Sequence, residues 1–437
     1  MYGKLSRRAD ELRETLIACR RDLHKYAETG WLEMRTASLV AGKLHDLGYE
    51  VLMGPDVCKP EARMGVPSND ILDRHYEWAK IHGADSRFLP CTKDGFTGVI
   101  GILRCGEGPV VAMRFDMDAL HVLEEEGTSH KPAREGFSSV TKGIMHACGH
   151  DGHITIGLGT AALLSEIKSQ LSGTIKLIFQ PAEEGVQGAK SIVAHGHLDD
   201  ADYVMGSHLL PSADGEYHIC PGLAGTLATT KLNAFFSGKS AHAGLCPQDG
   251  KNALLAAATA VLNIHALPRH KDGTSRVNVG VLHAGTARNV ICDHARLELE
   301  VRGQTQEINS YLEQYTRNIL QCAAAMHGCT LKTEVMGSAS SVECTENFAE
   351  RIRTVCKNKL QMNVIEPYDI GFSEDFACMT QRAIENGKMA CFTGIQIPCT
   401  ASLHNNQFDF DENALTIGVK YYTGIVWDLL GKSSDIR

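Results

Sequence analysis

The sequence predicts an α/β fold, a mostly parallel sheet flanked by helices, with an inserted ferredoxin-like α+β domain. Short apolar runs alternate with helical segments from residue 97 onward and again after about residue 337, which is typical of a parallel sheet with crossover helices. Between these regions the predicted elements follow the order β-α-β-β-α-β of a ferredoxin-like unit. We therefore expect one domain at 1–224 and 336–437 and an inserted domain at 225–335.

The elements of the first domain follow from the spacing of its apolar residues. Leucines recur at helical spacing over residues 5–48, with a break near residues 28–30, and predict helices. Residues 54–95 are rich in Pro, Gly, Asp and Arg, and we interpret them as a surface insertion with one short helix near 71–80. The apolar runs predict buried strands at 109–115, 174–180, 202–207 and 388–393. The segments with a helical pattern lie at 154–167, 189–195 and 373–380.

The middle of the chain predicts a separate set of elements. Its strands are expected at 229–237, 276–283, 295–302 and 330–336. Its helices are expected at 251–265 and 306–326. Because these elements form a complete ferredoxin-like set, we expect them to fold as a compact domain of their own, inserted between two parts of the first.

Composition excludes several classes of function. The chain has 437 residues, with 43 basic and 52 acidic side chains and a formal charge of −9, so it lacks the positive surplus that binding to nucleic acid requires. No stretch approaches the roughly 18 to 20 apolar residues of a membrane span. The opening residues are charged and lack the apolar segment of a secretory signal, so we expect a cytoplasmic location. The 15 scattered cysteines suggest reduced thiols.

Residue types that bind metals follow every predicted strand of the first domain. Taken singly, a strand-end Asp is most often a cap or turn residue, and a lone His is most often a structural residue. Such residues occur at five separate places in the sequence, and all five are expected at one edge of the sheet, which favours a metal site instead. These residues are Asp116 and Asp118 after the first strand, Glu183 and Glu184 after the second, His208 after the third, His404 in the loop after the fourth, and Cys148 and His150 before the helix at 154–167.

The residue types indicate a hydrolytic metal centre. Cys, His and carboxylate ligands in one pocket suit a divalent ion such as zinc or manganese. Two adjacent glutamates, Glu183 and Glu184, offer one metal ligand and one base that accepts a proton from the attacking water. The chain contains no Gly-x-Ser-x-Gly, Gly-x-Gly-x-x-Gly or P-loop motif, so we discount serine hydrolases and nucleotide-binding enzymes.

Four motifs together resemble the dinuclear metallo-amidohydrolase family, which includes carboxypeptidase G, hippurate hydrolases and plant auxin-conjugate amidohydrolases. They are MHACGHDGH at 145–153, PAEEG at 181–185, SAHAG at 240–244 and GFSEDF at 371–376. The auxin-conjugate branch is the most similar, because it places a cysteine and a histidine where other branches use carboxylates. His24 also lies in a family motif, but it has no companion ligand nearby in sequence, and we interpret it as structural.

The resemblance implies a role for each candidate residue. Glu183 becomes the general base, and Asp118 matches an acidic residue that orients a ligand. The role of Asp116 stays open. The implied cofactor is a pair of divalent ions in each protomer, with Mn²⁺ expected and Zn²⁺ as the alternative. The implied metal ligands are Cys148, His150, Glu184, His208 and His404.

The inserted domain is implied to serve the substrate and the assembly. His242 matches a histidine that in this family reaches the substrate carbonyl from the partner chain, and Asn289 and Arg302 match positions that contact the substrate carboxylate. A strand-end surface charge is the equally weighted alternative for Arg302. We expect the inserted domain to act as a dimerisation and lid domain, in a homodimer or in a heterodimer with a related chain.

The implied activity is hydrolysis of the amide bond between an aromatic acyl group and an amino acid. The leading substrate is p-aminobenzoyl-glutamate, which would give p-aminobenzoate and glutamate. The alternative is a broader N-acyl-amino-acid hydrolase that acts on auxin conjugates or on hippurate-like compounds. The second alternative is a protein that binds metal without turnover, which is disfavoured because Glu183 and all five ligand positions are present.

Overall fold

The computed structural model describes residues 1–432, which divide into two compact units. The larger unit comprises Met1–Ala224, Val342–Ile370 and the described residues from Asp375 onward. The inserted unit comprises Gly225–Ser341 together with the short segment Gly371–Glu374. The inserted unit extends to Ser341 because its last strand keeps pairing as far as Ala339.

The first part of the larger unit carries seven α-helices and six strands within the described residues. The helices are α1 (Tyr2–Glu11), α2 (Arg13–Lys25), α3 (Met34–Asp46), α4 (Asn69–Ile81), α5 (Lys131–Glu135), α6 (His150–Glu166) and α7 (Ala189–His195). The strands are β1 (Glu50–Met53), β2 (Val99–Arg104), β3 (Val110–Asp116), β4 (Thr174–Gln180), β5 (Tyr203–Pro211) and β6 (His218–Pro221).

The remaining elements follow in chain order. The inserted unit contains β7 (Ala228–Ser237), α8 (Ala253–His265), β8 (Ser275–Ala284), β9 (His294–Gly303), α9 (Gln306–Met326) and β10 (Thr330–Ala339). The chain then returns to the larger unit with α10 (Glu346–Asn358), α11 (Ala377–Glu385), β11 (Met389–Ile397) and α12 (Asn413–Leu430).

The sheet of the larger unit has a parallel centre and antiparallel edges. Its strand order in the described chain is β1-β2-β4-β3-β5-β11-β6. Strands β4, β3, β5 and β11 pair in parallel, whereas β1, β2 and β6 pair antiparallel to their neighbours. The central strands are almost fully buried, as expected when helices cover both faces of a sheet. The predicted α/β class is confirmed, but the sequence analysis did not predict the three antiparallel edge strands.

Helix α6 lies at the centre of the larger unit. It packs against β3 on one side and against α2 and α12 on the others, so nearly all of its residues are buried. At Gly157 a Cβ atom would stand 2.8 Å from the rings of Phe115 and Phe179, so glycine permits this close approach of helix and sheet. The helix begins at His150 instead of Ile154, after Gly149 in the left-handed conformation (φ 86°). The predicted ligand His150 therefore occupies its first turn.

Other predicted elements also start or end at different residues in the structure, and two of them bear on the site. The helix predicted at 373–380 begins only at Ala377. The strand predicted at 202–207 continues as β5 to Pro211, because β11 pairs with it beyond that point and places His208 opposite Gly394. In the described chain, no helix combines the length and the apolar character that crossing a membrane requires.

The inserted unit is a ferredoxin-like fold, as the sequence predicts. Its four strands pair antiparallel in the order β10-β7-β9-β8, and helices α8 and α9 pack against this sheet. Alternate residues of β9 are buried, among them Leu297 and Leu299, while their neighbours Glu298 and Glu300 are partly exposed. This alternation leaves a polar row of side chains on the face of the sheet opposite the core.

Candidate metal centre

The predicted site residues of the larger unit converge at one edge of its sheet. Strands β3, β4 and β5 are parallel neighbours, so their carboxyl ends meet at the same edge. The first turn of α6 and the loop 398–412 between β11 and α12 reach the same place. The structure therefore brings together all five predicted metal ligands and Glu183.

The distances describe a cluster with room for cations between its donor atoms. Five groups in the described chain have their ligand atoms within 4.8 Å of one another, and three of them consist only of predicted ligands and Glu183. Cys148 Sγ lies 3.4 Å from His208 Nε2, and the two oxygens of Glu184 lie 3.8 Å from His150 Nε2 and 3.5 Å from His404 Nε2. These three groups are Cys148, His150 and His208; Cys148, Glu184 and His404; and His150, Glu183 and Glu184. Because the groups share donors, the cluster fits divalent ions at adjacent positions.

Two histidine rings are fixed in the tautomer that a metal ligand requires. The Nδ1 atom of His150 lies 2.8 Å from the backbone oxygen of Asp118, and that of His208 lies 2.8 Å from the oxygen of Leu209. A carbonyl oxygen can only accept, so each Nδ1 donates, and in the neutral ring that a metal ligand requires each Nε2 presents its lone pair to the cluster. His150 Nε2 is buried without a hydrogen-bond partner among the described residues, as expected of an atom that coordinates an ion.

The electrostatics of the cluster also favour a cation. Burial, followed by the nearby carboxylates of Glu184 and Glu183, raises the pKa of the Cys148 thiol well above its usual value. Burial likewise raises the pKa of Glu184 to about 7. Burial alone would lower the pKa of His150, but the carboxylates of Asp116 and Asp118 raise it to about 10. Without a cation, Cys148 and Glu184 therefore tend to keep their protons in a buried place, and a divalent cation would displace those protons and pair with the two acids.

Asp118 holds the two glutamates in position. One carboxylate oxygen of Asp118 accepts from the backbone N–H of Glu183 at 2.9 Å, and the other accepts from the N–H of Glu184 at 3.0 Å. The loop is strained, because Ala182 and Val186 have φ values of 54° and 53°. These hydrogen bonds hold the strained loop, so both carboxylates of the pair depend on Asp118.

Asp116, which the sequence analysis left open, is fully buried beside the predicted ligand His150. His153 Nε2 accepts from the N–H of Leu209 at 2.9 Å, so its Nδ1 carries the proton and donates to Asp116 at 2.5 Å. The second oxygen of Asp116 accepts from Arg114 at 2.7 Å and lies 3.6 Å from His150 Nε2. Arg114 is fully buried, and a charged residue inside the apolar run of β3 was the sequence signal for this network.

The inserted unit holds the three remaining predicted residues. A β-bridge joins His242 to Val290, and Ala243 N–H donates to the backbone oxygen of Asn289 at 3.1 Å, so His242 and Asn289 are neighbours. Both side chains are exposed. His242 Nδ1 accepts from Leu245 N–H at 3.0 Å and is therefore not the protonated ring nitrogen.

Arg302 is already paired within the inserted unit. Its guanidinium donates to both carboxylate oxygens of Glu300, at 2.9 and 3.0 Å, and lies 3.4 Å from the hydroxyl of Ser373. Both members of the pair are partly exposed, at 28% and 29%. Any carboxylate that Arg302 binds must therefore compete with Glu300, a feature that the sequence analysis did not predict.

Comparison with known proteins identifies the family. The chain matches the family described as Peptidase family M20/M25/M40 over residues 112–428, and it belongs to that family. The resemblance inferred from the motifs is confirmed, and the chain is a hydrolase of this family.

Two curated relatives and one solved structure are similar along nearly the whole chain. The chain is 43% identical to the indole-3-acetyl-aspartic acid hydrolase of Enterobacter agglomerans over 404 residues, which cover 92% of each protein. It is 42% identical to one of the subunits of the p-aminobenzoyl-glutamate hydrolase of Escherichia coli over 419 residues, which cover 95% of this chain and 96% of the relative. The crystal structure of an aminobenzoyl-glutamate utilization protein from Klebsiella pneumoniae superposes with a TM-score of 0.83 at 35% identity and covers 97% and 98% of the two chains.

Proposed function

We propose that this chain hydrolyses the amide bond of p-aminobenzoyl-glutamate, giving p-aminobenzoate and glutamate. One observation carries the proposal: Glu183, the candidate base, lies in a cluster with five side chains that suit divalent ions as ligands. The similarity to two hydrolases of aromatic acyl conjugates supports the substrate class.

We assign the cofactor as two divalent ions, with Mn²⁺ expected and Zn²⁺ as the alternative. The buried and unpartnered Nε2 of His150, the fixed ring of His208 and the grouping of Cys148 and Glu184 beside them all fit such ions. The residues that would hold them are Cys148, His150, Glu184, His208 and His404. When bound, such ions supply Lewis acidity that polarises the amide carbonyl and makes water a stronger acid.

Glu183 then acts as the base and acid of the reaction. The carboxylate takes a proton from the attacking water, whose oxygen adds to the amide carbon. Glu183 returns that proton to the amide nitrogen as the C–N bond breaks, which releases the carboxylic acid and the amine. The carboxylate of Asp118 accepts a hydrogen bond from the backbone N–H of Glu183 and so keeps Glu183 in place. Asp118 is therefore a positioning residue in this proposal.

A broader specificity is the alternative. The two curated relatives are named for different acyl groups, indole-3-acetyl and p-aminobenzoyl, and their identities to this chain differ by one percentage point. Both names contain an acidic amino acid, aspartate or glutamate. The acidic amino acid is therefore the better supported half of the proposed substrate. A non-catalytic metal-binding protein is the second alternative, and retention of Glu183 in a hydrogen-bonded loop disfavours it.

We further propose that the inserted unit contributes His242, Asn289 and Arg302 to the substrate, with His242 supplied across a dimer. One relative is named as part of a multi-chain hydrolase, which supports a partner for this chain, either a second copy or a related protein. The cytoplasmic location expected from the sequence remains a prediction.

A grid of substrates tests the proposal. Metal-free protein is reconstituted with Mn²⁺ or with Zn²⁺ and offered the p-aminobenzoyl and indole-3-acetyl conjugates of glutamate, aspartate and alanine. Glu183→Gln protein serves as the control for contaminating hydrolases. The panel is repeated with any partner that co-purifies with the chain.

The outcomes separate the three candidates. Release of p-aminobenzoate chiefly from the glutamate conjugate supports the proposal. Equal kcat/KM for both acyl groups favours the broader hydrolase, and equal kcat/KM for alanine and glutamate conjugates removes the claim of an acidic substrate. No turnover of any conjugate by metal-loaded protein, with or without its partner, leaves the non-catalytic alternative.

A further inference from the structure

Among the five candidate ligands, His404 lies in the most exposed surroundings. Cys148, His150 and His208 are at most 5% exposed, and the helix and strands around them fix their positions. The His404 side chain is 55% exposed and belongs to a loop whose neighbouring residues 405–407 are exposed as well. Its backbone is in the left-handed conformation, with φ 65°. Something other than local packing must therefore hold His404 toward the cluster.

The base of this loop is closed tightly. A β-bridge joins Cys399 to Phe410, and Thr400 N–H donates to the backbone oxygen of Asp409 at 2.9 Å. The N–H of Asp409 donates in turn to the Thr400 hydroxyl at 2.9 Å. At the tip, His404 N–H donates to the oxygen of Ala147 at 2.8 Å. Asp409 therefore fixes the base of the loop, while the bond to Ala147 holds its tip.

Arg20, on helix α2, connects the base of the loop to the metal-binding helix. Its Nε donates to Asp151 at 2.8 Å and its Nη2 donates to Asp409 at 2.7 Å, and the guanidinium is fully buried. Asp151 directly follows the candidate ligand His150 and accepts from Gly152 N–H at 2.9 Å, so it belongs to the first turn of α6. The ring of Phe410 lies 4.3 Å from the guanidinium carbon.

His24 supports the same carboxylate from the next turn of α2. Its Nδ1 lies 2.9 Å from Asp151, and its Nε2 lies 3.0 Å from Glu124. The structural interpretation of His24 thus gains a definite partner. Arg20 and His24 together hold Asp151, but of the two only Arg20 has a hydrogen bond to the loop of His404 in the described chain.

We propose that Arg20 is a positioning residue of the metal centre, which holds the His404 loop against the first turn of α6 by binding Asp409 and Asp151 at once. The planar guanidinium fork suits this role, because it donates in two directions from one rigid group. The proposal rests on the metal centre of the proposed function. Loss of this link should lower the affinity for the ion that His404 binds. The affinity for the other ion should stay nearly unchanged.

The main test variant is Asp409→Asn. It keeps the size of the side chain and an oxygen acceptor, and it leaves Arg20 paired with Asp151, so the fold is retained. Asp428→Asn is the matched control, because it breaks an ion pair with Arg351 in the same unit without touching the loop. Arg20→Lys tests the fork itself, since a single ammonium cannot donate to both carboxylates with the same geometry.

Mn²⁺ affinity and stoichiometry are measured by titration calorimetry and by metal analysis after dialysis, with His404→Ala as the reference for loss of the ligand. Asp409→Asn and Arg20→Lys should bind one ion about tenfold or more weakly, and the other within about threefold of wild type. Saturating Mn²⁺ should restore kcat in both variants. Asp428→Asn should bind both ions like wild type.

The proposal is overturned if Asp409→Asn binds both ions as tightly as wild type, or if Asp428→Asn weakens binding as much. It is also overturned if Arg20→Lys, folded by its thermal melt, binds both ions normally. Wild-type protein that binds two ions but hydrolyses no conjugate would refute the proposed function, and the affinities would still decide the role of Arg20. Wild-type protein that binds no ion would refute both.

Discussion

The two units of this protein hold their candidate functional residues in opposite ways. In the larger unit, the donors come from strand ends and a helix turn, most are buried, and their partners fix them. In the inserted unit, His242 and Asn289 are exposed and Arg302 is occupied by Glu300. In the proposed function, bond cleavage and selectivity therefore have different structural requirements. A cluster that must bind cations has to be rigid before the ligand arrives, whereas residues that meet a substrate can exchange one partner for another.

The largest effect should come from the rigid cluster. Glu183→Gln removes the base but keeps the size of the side chain, so turnover should fall about a thousandfold while metal content stays near wild type. Glu184→Gln is the matched control one residue away, and it should lose metal as well as activity. If Glu183→Gln kept more than about a tenth of wild-type turnover, the base would lie elsewhere, and the larger unit would not differ from the inserted unit in the way described.

The thiolate of the same cluster gives the next effect. Cys148→Ser should weaken metal binding by about ten- to a hundredfold, because a serine hydroxyl does not ionise at neutral pH. Cys391, also fully buried but in β11, offers the control Cys391→Ser, which should bind metal normally.

A mixing experiment tests whether the inserted unit serves the active site of a partner chain. Neither His242→Ala nor Glu183→Gln protein should hydrolyse the substrate well alone. Random exchange of protomers in an equal mixture would restore about a quarter of wild-type activity, because half of the dimers are mixed and each has one intact site. No recovery, under conditions where labelled protomers are seen to exchange, would place His242 in the site of its own chain or outside catalysis.

A smaller effect is expected where Arg302 is paired. Glu300→Gln weakens the competing carboxylate, so KM for acidic conjugates should fall severalfold while kcat changes little. Glu298→Gln, two residues earlier on β9 and paired with Arg296, is the matched control and should leave KM unchanged. An unchanged KM in Glu300→Gln would mean that Arg302 does not bind the substrate carboxylate. A higher KM would mean that Glu300 holds the Arg302 side chain in the position that binds the substrate.

The smallest effect concerns stability in acid. Hydrogen bonds from Arg21 and Lys131 outweigh burial and lower the pKa of Glu412 to about 2. The pKa of Glu412 is lowered by folding, so its stabilisation is present above about pH 4.5 and is lost as the pH falls toward 2. Glu412→Gln should therefore lower the free energy of unfolding by on the order of 1–2 kcal/mol at pH 7 and by much less at pH 3.

Denaturant unfolding from pH 3 to pH 7 measures the effect of Glu412→Gln. Glu313→Gln, which breaks a partly exposed pair with Arg317 in the inserted unit, is the control and should cost about 0.5 kcal/mol or less. Equal loss of stability in Glu412→Gln and Glu313→Gln at pH 7 would show that the ion pairs of the larger unit are no stronger than those of the inserted unit.

Some elements follow from the sequence because their signal is local. Strand β4 and helix α9 have the predicted bounds, since a buried apolar run and a helical periodicity are read from neighbouring residues. The antiparallel strand β6 has only four residues, and strand β1 likewise, which is too short for a pattern to emerge. The candidate ligands were found because each lies next to an element that the pattern predicts, either after a strand or just before a helix, although His208 lies inside β5 and not after it.

The residue types that gather at the sheet edge follow from the sequence, because strand direction and motif spacing are encoded locally. The contacts that hold those residues in place depend on the folded chain. Asp118 binds the backbone of both glutamates, Arg20 joins Asp151 to Asp409, and Glu300 fills the fork of Arg302. The contacts of Asp118 and Arg20 join polar groups that are far apart in the chain. The contact of Glu300 with Arg302 depends on which side-chain rotamers are allowed on the surface of the strand. Sequence periodicity records burial and not the choice of polar partner, so such contacts become visible only once the chain is folded.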